Sequence, residues 1–337
     1  METLRIFIAG ATGVVGRRLV EQLSDRGHIA IGLTRDRAGD ELVAERGGVP
    51  RRGDVLDSES LEWAIGDADV VVNLATSIPS ERTPDEEDWR YNDRVRQVGT
   101  RNLTVEAGRA DAHRFVQSSV VWAVRKNNGR EVNEFTPPNP DRRARSAVEA
   151  ERRARAARKF DLDPVVLRTG WLYAPDAVHT RQTGRDLLRW RLPIIGGGLF
   201  GLKNATLSIL HAEDAASAFA AACEGGEPGT YHVIDDDPVT PATFLRTFAD
   251  RLGAKRPLRV PGWLVRPVVG PDLVRFFTTG FPTSNDPFTE EFGWEPTYPT
   301  YREGLEDVVT QWVSDGILSG SGDGYEWISQ ENRSNPE

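Results

Sequence analysis

Leu4-Arg5-Ile6-Phe7-Ile8-Ala9-Gly10-Ala11-Thr12-Gly13-Val14-Val15-Gly16-Arg17-Arg18-Leu19-Val20-Glu21-Gln22-Leu23 is the stretch that decides the fold. Leu4 to Ala9 is an apolar run with the length of a buried strand. Arg17 to Leu23 takes up helical spacing until Gly27, so the stretch reads as strand, glycine turn, helix. Each glycine has its own task in such a turn. Gly10 lets the chain reverse tightly, Gly13 lets backbone approach a pyrophosphate, and Gly16 lets the helix pack on the strand. The helix N-terminus then offers N–H groups and positive dipole to the phosphates, with Thr12, Val14 and Val15 in the same turn. Bound to these flanks, the glycine pattern predicts a dinucleotide site.

The second strand, His28–Thr34, ends in Leu33-Thr34-Arg35. In a dinucleotide fold this tip faces the adenosine ribose, and an acid here would bind the 2′-hydroxyl of NAD. Thr34 is not an acid and Arg35 follows it, which suits a 2′-phosphate. Arg17 is placed to lean into the same region. NADP is therefore the expected cofactor. NAD stays open because Asp36 is near. Val49–Gly53 is followed by Asp54 and Val55, where a carboxylate can accept from the adenine amino group. Asp69 to Thr76 is a buried strand whose tip, Leu74-Ala75-Thr76, would lie under the cofactor.

Further along, a long polar helix is expected over 86–110 and a strand over Arg114–Ser119, ending in the hydroxyls of Ser118 and Ser119. A proline-rich loop precedes a helix at Ala144–Lys159, and Pro164–Arg168 is a sixth strand. This alternation predicts an α/β fold with a doubly wound parallel sheet. Beyond Thr169 the alternation loosens. Ala205–Leu210 and Tyr231–Ile234 read as strands that could rejoin the sheet, and Gly196-Gly197-Gly198 as a flexible loop. The expected division is a dinucleotide-binding domain of 1–175 plus 205–236, a smaller substrate lobe of 176–204 plus 237–312, and a C-terminal tail over 313–337 that is expected to be loose from Ser319 on.

With 337 residues, 39% apolar and 28% charged, the chain suits a soluble globular protein with a sizeable core. Its net charge of −9 argues against a nucleic-acid partner. No apolar run of membrane-spanning length occurs. The first strand begins at once, leaving no room for a signal peptide, so a cytoplasmic location is expected. Cys223, the single cysteine, is expected to be packed and inert.

Taken together, several stretches resemble the extended short-chain dehydrogenase/reductase superfamily, the NAD-dependent epimerase/dehydratase group. They are Gly10–Gly16, Gly53-Asp54-Val55, Asn73-Leu74-Ala75, Gly99-Thr100-Arg101-Asn102-Leu103, Ser118-Ser119, Leu167 to Pro175, Ile209 to Ala216 and Gly293 to Tyr298. The resemblance covers about 1–312. It implies a Rossmann-type sheet, a nicotinamide cofactor and a small-molecule substrate. It also implies a serine with a Tyr-x-x-x-Lys pair, in which the tyrosine moves the proton while the lysine lowers its pKa.

The pair is missing. Aligning Ser146 and Glu151 puts Arg143 at the tyrosine position and Ala147 at the lysine position, and no Tyr-x-x-x-Lys occurs in the chain. Arg96 stands where the family often has asparagine. Ser119 remains as a candidate catalytic hydroxyl, and Tyr173, just past the sixth strand, as a candidate proton donor. His211 reads as a brace for the small lobe. Arg181, Arg185 and Arg189 would make one basic stripe on a helix, read as a solvated face, with a clamp for a substrate phosphate or carboxylate as the alternative. No cysteine and histidine cluster has metal-ligand spacing. The reading is an NADP-dependent oxidoreductase or epimerase-type enzyme acting on a carbonyl or hydroxyl of a small or sugar-like molecule. The alternative is a non-catalytic NADP-binding sensor, regulator or assembly factor. A homodimer through the helices near 86–110 and 144–159 is the open option on assembly.

Overall fold

The computed structural model describes residues 2–79, 86–321 and 324–328. Strands and helices alternate through β1 (Arg5–Ala9), α1 (Val14–Asp25), β2 (Ile29–Thr34), α2 (Arg37–Glu45), β3 (Val49–Arg52), α3 (Ser58–Ile65) and β4 (Val70–Asn73). There follow α4 (Glu86–Arg94), a π-helical turn (Val95–Gly99), α5 (Thr100–Arg109), β5 (Arg114–Val120), α6 (Arg145–Arg155) and β6 (Asp163–Thr169). Next come β7 (Trp171–Tyr173), α7 (Val178–Leu188), β8 (Ile194–Gly196), β9 (Ile209–His211), α8 (Ala212–Glu224) and β10 (Thr230–Val233). The remainder is α9 (Pro241–Arg251), β11 (Arg259–Pro261), α10 (Gly262–Val269), α11 (Pro271–Thr278), α12 (Asp286–Phe292), α13 (Tyr301–Ser314), β12 (Leu318–Ser321) and β13 (Gly324–Trp327).

The central sheet has seven strands in the order β10-β6-β5-β4-β1-β2-β3. Every pairing in it is parallel. Both faces are therefore covered, and β1 shows how one strand serves both. Ile6 and Ile8 face a core built with Leu19, Val20 and Leu23 of α1 and the alanines of α8. Phe7 and Ala9 face the opposite core, with Leu61 of α3 and Leu103 and Ala107 of α5. The period-two alternation of the strand delivers this division. Strand order reverses between β1 and β4, so the crevice at the carboxyl ends of these strands opens beside the glycine turn.

Several expectations are corrected. The segment over 205–210 does not rejoin the main sheet. Leu207 makes an isolated bridge to Val239, and β9 pairs with β7. Gly170 turns the chain out of β6 here, where a Cβ would meet the Ile209 and Ser208 backbone. The triple-glycine stretch is not a free loop. Gly196 lies in β8, which pairs with β11, and Gly197 bridges to Lys203. The tail is not loose over its described part. β12 and β13 form an antiparallel hairpin that sets Trp327 edge-on against Trp312 of α13, with ring centroids 5.1 Å apart. The small lobe has its own core of Phe244, Phe248, Tyr301, Leu305 and Trp312. Among the described residues no helix is long and apolar enough to cross a membrane.

Candidate functional site

The three glycines of the first turn differ in what a side chain would meet. Gly10 has φ +86°, and a Cβ there would sit 2.8 Å from the Leu74 carbonyl carbon. A Cβ on Gly16 would overlap the Gly10 carbonyl oxygen and Ala11. On Gly13 it would meet only the Gly10 oxygen, at 3.2 Å, so the outer face of the turn is open to a ligand. Gly13 also N-caps α1, with no side-chain cap and no acid in the first turn. The free first-turn N–H groups and an open glycine face form a cradle that fits a pyrophosphate. Beneath it, Asn73 accepts from the Ala75 N–H and donates to Thr100 Oγ1 and Gln117 Oε1, each at 3.0 Å. That buried network fixes the tip of β4, where Leu74, Ala75 and Thr76 lie. Asn102 donates to the Val55 carbonyl at 3.0 Å and ties down the loop after β3.

Past the carboxyl ends of β2 and β3, Arg35, Gly53, Asp54, Asp57 and Ser60 line a cavity of about 310 Å3. Asp54 accepts from the Leu56 N–H at 2.8 Å. Three neighbouring arginines are paired: Arg17 with Asp176, Arg37 with Glu41 and Arg52 with Asp40. Arg35 is exposed and makes no ion pair with a described residue. Arg17 therefore turns away from the region where the sequence reading placed it. The nearby acids are engaged as well. Asp36 caps α2 through the Gly39 N–H, and Asp40 accepts from Thr34 Oγ1 at 2.5 Å. A larger open depression of about 670 Å3 beside Trp63 lies at the opposite edge, where Gly66 and Asp67 precede β4.

At the tip of β5, Ser119 is buried and donates to Glu151 Oε1 at 2.5 Å. Glu151 also takes two bonds from Arg168, at 2.9 and 2.8 Å, and is joined by Arg155. Ser118 is the partly exposed hydroxyl of the pair. Ala147 is buried with Val120, Ala123 and Ala144, and Trp122 packs on that cluster, so the lysine position is filled by apolar packing. Arg143 places its guanidinium 5.8 Å from the Trp89 ring centroid. Arg96, in the π-helical turn, donates to the Arg143 carbonyl at 3.4 Å. Burial pulls the Arg96 pKa down to about 10, which leaves it charged at neutral pH.

Tyr173 lies in the small-lobe core, 2% exposed, against His211, Phe244 and Gly304. Among the described residues its hydroxyl has no hydrogen-bond partner, and burial raises its pKa well above the ordinary phenol value. His211 N-caps α8 through the Glu213 N–H, and burial lowers its pKa to about 3. Arg181 and Arg185 do share helix α7, with Arg189 at its end, and Arg181 donates to the Pro175 carbonyl. Cys223 is buried, and burial raises its thiol pKa. Trp122, Trp171, Phe276 and Phe277 form a connected aromatic wall between the β5 tip and the small lobe.

The NAD dependent epimerase/dehydratase family model matches residues 6–234. The chain belongs to this family. A curated relative, the 3-diazoavenalumate denitrifying reductase of a Streptomyces species, is 34% identical over 313 residues, covering 90% of this chain and 99% of the relative. A 3 beta-hydroxysteroid dehydrogenase/Delta 5-->4-isomerase of Mycobacterium tuberculosis is 27% identical over 310 residues, covering 87% of this chain and 81% of that one. The solved UDP-glucose 4-epimerase of Thermus thermophilus, in complex with NAD, superposes with a TM-score of 0.73 at 21% identity, covering 92% of this chain and 99% of that chain. Another solved structure, of gox2253, reaches 0.77 at 22%, covering 93% and 98%. The epimerase/dehydratase fold is thus shared over nearly the whole chain.

Within this family member, the sequence reading missed the buried group that holds Ser119. Glu151 served only to align the helix, and Arg168 only as part of a motif. Both carry opposite charge on elements flanking β5, which is the signal that could have paired them.

Proposed function

We propose that this protein is an NADP(H)-dependent reductase that delivers hydride to a small aromatic carboxylate carrying a diazo group. The observation that carries the proposal is an open dinucleotide cradle beside a site whose tyrosine and lysine positions hold Arg143 and Ala147. The nicotinamide supplies hydride when bound. Reduction of a carbonyl creates an alkoxide and calls for a proton donor. Replacement of a diazonium nitrogen by hydride forms a C–H bond and expels N2 with the C–N bonding pair, so no oxygen has to be protonated. A site without the tyrosine fits the second reaction, and the name of the Streptomyces reductase supports it.

Each residue has a stated part in this reading. Gly10, Thr12, Gly13, Val14, Val15 and Gly16 cradle the pyrophosphate. Arg35 meets the 2′-phosphate, with Thr34 behind it. Asp54 and Val55 border the adenine, and Leu74, Ala75, Thr76 and Ser118 line the path to the nicotinamide. Arg96 and Arg143 attract the substrate carboxylate, and Trp122 and Trp171 wall its ring. Tyr173 and Ser119 act in packing and in the Glu151 network rather than in proton transfer.

The test is calorimetric titration with NADP(H) and NAD(H), followed by turnover of NADPH with 3-diazoniobenzoate and a panel of carbonyl compounds. NADP should bind more tightly than NAD, and Arg35→Ala should remove about tenfold or more of that preference. Deuteride from labelled NADPH should appear in the arene product. Turnover of carbonyls alone would overturn the substrate class. A second reading, a non-catalytic cofactor-binding protein, is favoured by the capture of Ser119 by Glu151. Cofactor binding without any turnover would select it.

A further inference from the structure

The small lobe carries a surface that neither the cofactor cradle nor the substrate wall uses. Residues 187–204 and 252–271 contain no aspartate or glutamate, in a chain whose net charge is −9. The first segment carries Arg189, Arg191 and Lys203, and the second Lys255, Arg256, Arg259 and Arg266. The fold joins them into one ridge. β8 and β11 pair in parallel, Trp190 donates to the Arg256 carbonyl at 3.3 Å, and Trp263 donates to the Leu199 carbonyl at 2.9 Å.

The same ridge exposes large apolar side chains. Leu199, Phe200 and Leu202 on the loop are 70%, 74% and 69% exposed, and Trp263, Leu264 and Val268 on α10 are 59%, 56% and 75% exposed. Trp190 and Leu258 continue the patch at its edge. An apolar ridge of this extent is not ordinary surface. Of the cations, Arg256 is paired with Asp250, and Arg259 holds the Gly201 carbonyl and Asn204. The others are exposed around the apolar tip.

We infer that this ridge docks on an anionic lipid bilayer, with the loop and α10 entering the headgroup region. Apolar side chains with tryptophan, ringed by lysine and arginine, are the two signals that hold a protein at an anionic membrane surface. The long cations can keep their heads in the headgroup layer while the apolar tip inserts. A second copy of the chain is a poor occupant, because a two-fold contact would set this cationic face against itself. The excess negative charge lies outside these two segments, so an anionic surface would attract the ridge and repel the rest, fixing the orientation.

The experiment is sedimentation of the full chain with vesicles of phosphatidylcholine alone and of phosphatidylcholine mixed with phosphatidylglycerol. Binding should appear with the mixed vesicles, with a blue shift of tryptophan emission, and should fall as salt is raised. Arg266→Ala should lower partitioning about fivefold. Phe200→Glu with Leu264→Glu should abolish it while NADP(H) affinity stays unchanged, which shows that the variant is folded. Absence of binding to mixed vesicles, or variants that bind as well as the parent, would overturn the proposal. So would a parent that does not bind vesicles but forms a dimer or captures an acidic protein through this ridge.

Discussion

At Gly13 and Gly16 a single methyl group should have two different effects. Gly16→Ala would press into the Gly10 carbonyl and Ala11, both backbone, and should destabilise the protein by about 1–3 kcal/mol or more. Gly13→Ala has only the Gly10 oxygen to displace slightly, so it should melt close to the parent yet lose cofactor affinity. Thermal melts and cofactor titrations on both variants check this, and equal loss of stability would refute it. The steric demands at Gly10 and Gly16 were legible in the sequence because a turn's requirements are local. The parts played by Arg17 and Tyr173 were not. Arg17 is claimed by Asp176, 159 positions away in the chain, and Tyr173 is enclosed by α9 and α13.

At the scale of elements, α6 is bound to the sheet by Glu151, which joins Ser119 on β5 to Arg168 on β6. Burial opposes ionisation of Glu151, but Arg168, Ser119 and Arg155 outweigh it and hold the carboxyl below its ordinary range. A lowered acid contributes stability above its unfolded pKa and loses it as pH falls through the folded value. Glu151→Gln should therefore cost about 3–5 kcal/mol at neutral pH, since it leaves Arg168 buried without its partner. In urea melts the gap between variant and parent should shrink as the medium becomes acid. The strands and helices of the first half were legible because apolar periodicity marks them. The terminal hairpin was not, because Gly320 and its serine and glycine neighbours carry no periodic signal. It is the contact of Trp327 with Trp312 that secures it.

At the scale of the whole molecule, stability against pH should have two limbs. His211 and His232 are buried, and burial lowers each to about 3. Between about 3 and the ordinary value near 6.5 the unfolded chain holds their protons, so stability rises with pH there. Asp235 acts in the opposite sense. It is fully buried, and burial raises its pKa to about 9. Between the ordinary aspartate value and about 9 the folded form holds the extra proton, so stability falls as pH rises. Asp235→Asn should remove that falling limb. Denaturant melts from about pH 5 to about pH 8 should show the variant gaining on the parent, whatever constant offset the amide brings. A constant difference across that range would refute it. The parallel sheet was legible in the alternation of elements, and so was its closing strand, read at Tyr231–Ile234 and found as β10 beside β6, whereas the separate pairing of β7 with β9 carried no such signal.

The place of β10 has a consequence for how the chain emerges from the ribosome. β6 ends at Thr169, but the strand that covers its free edge begins only at Thr230. During synthesis that edge stays bare while some sixty further residues are added, about 3–12 s at ordinary elongation rates. Until then the nascent sheet presents unpaired backbone to its surroundings. The time of greatest exposure to aggregation is therefore set by chain order, and it ends only when a segment from beyond α8 arrives to complete the sheet.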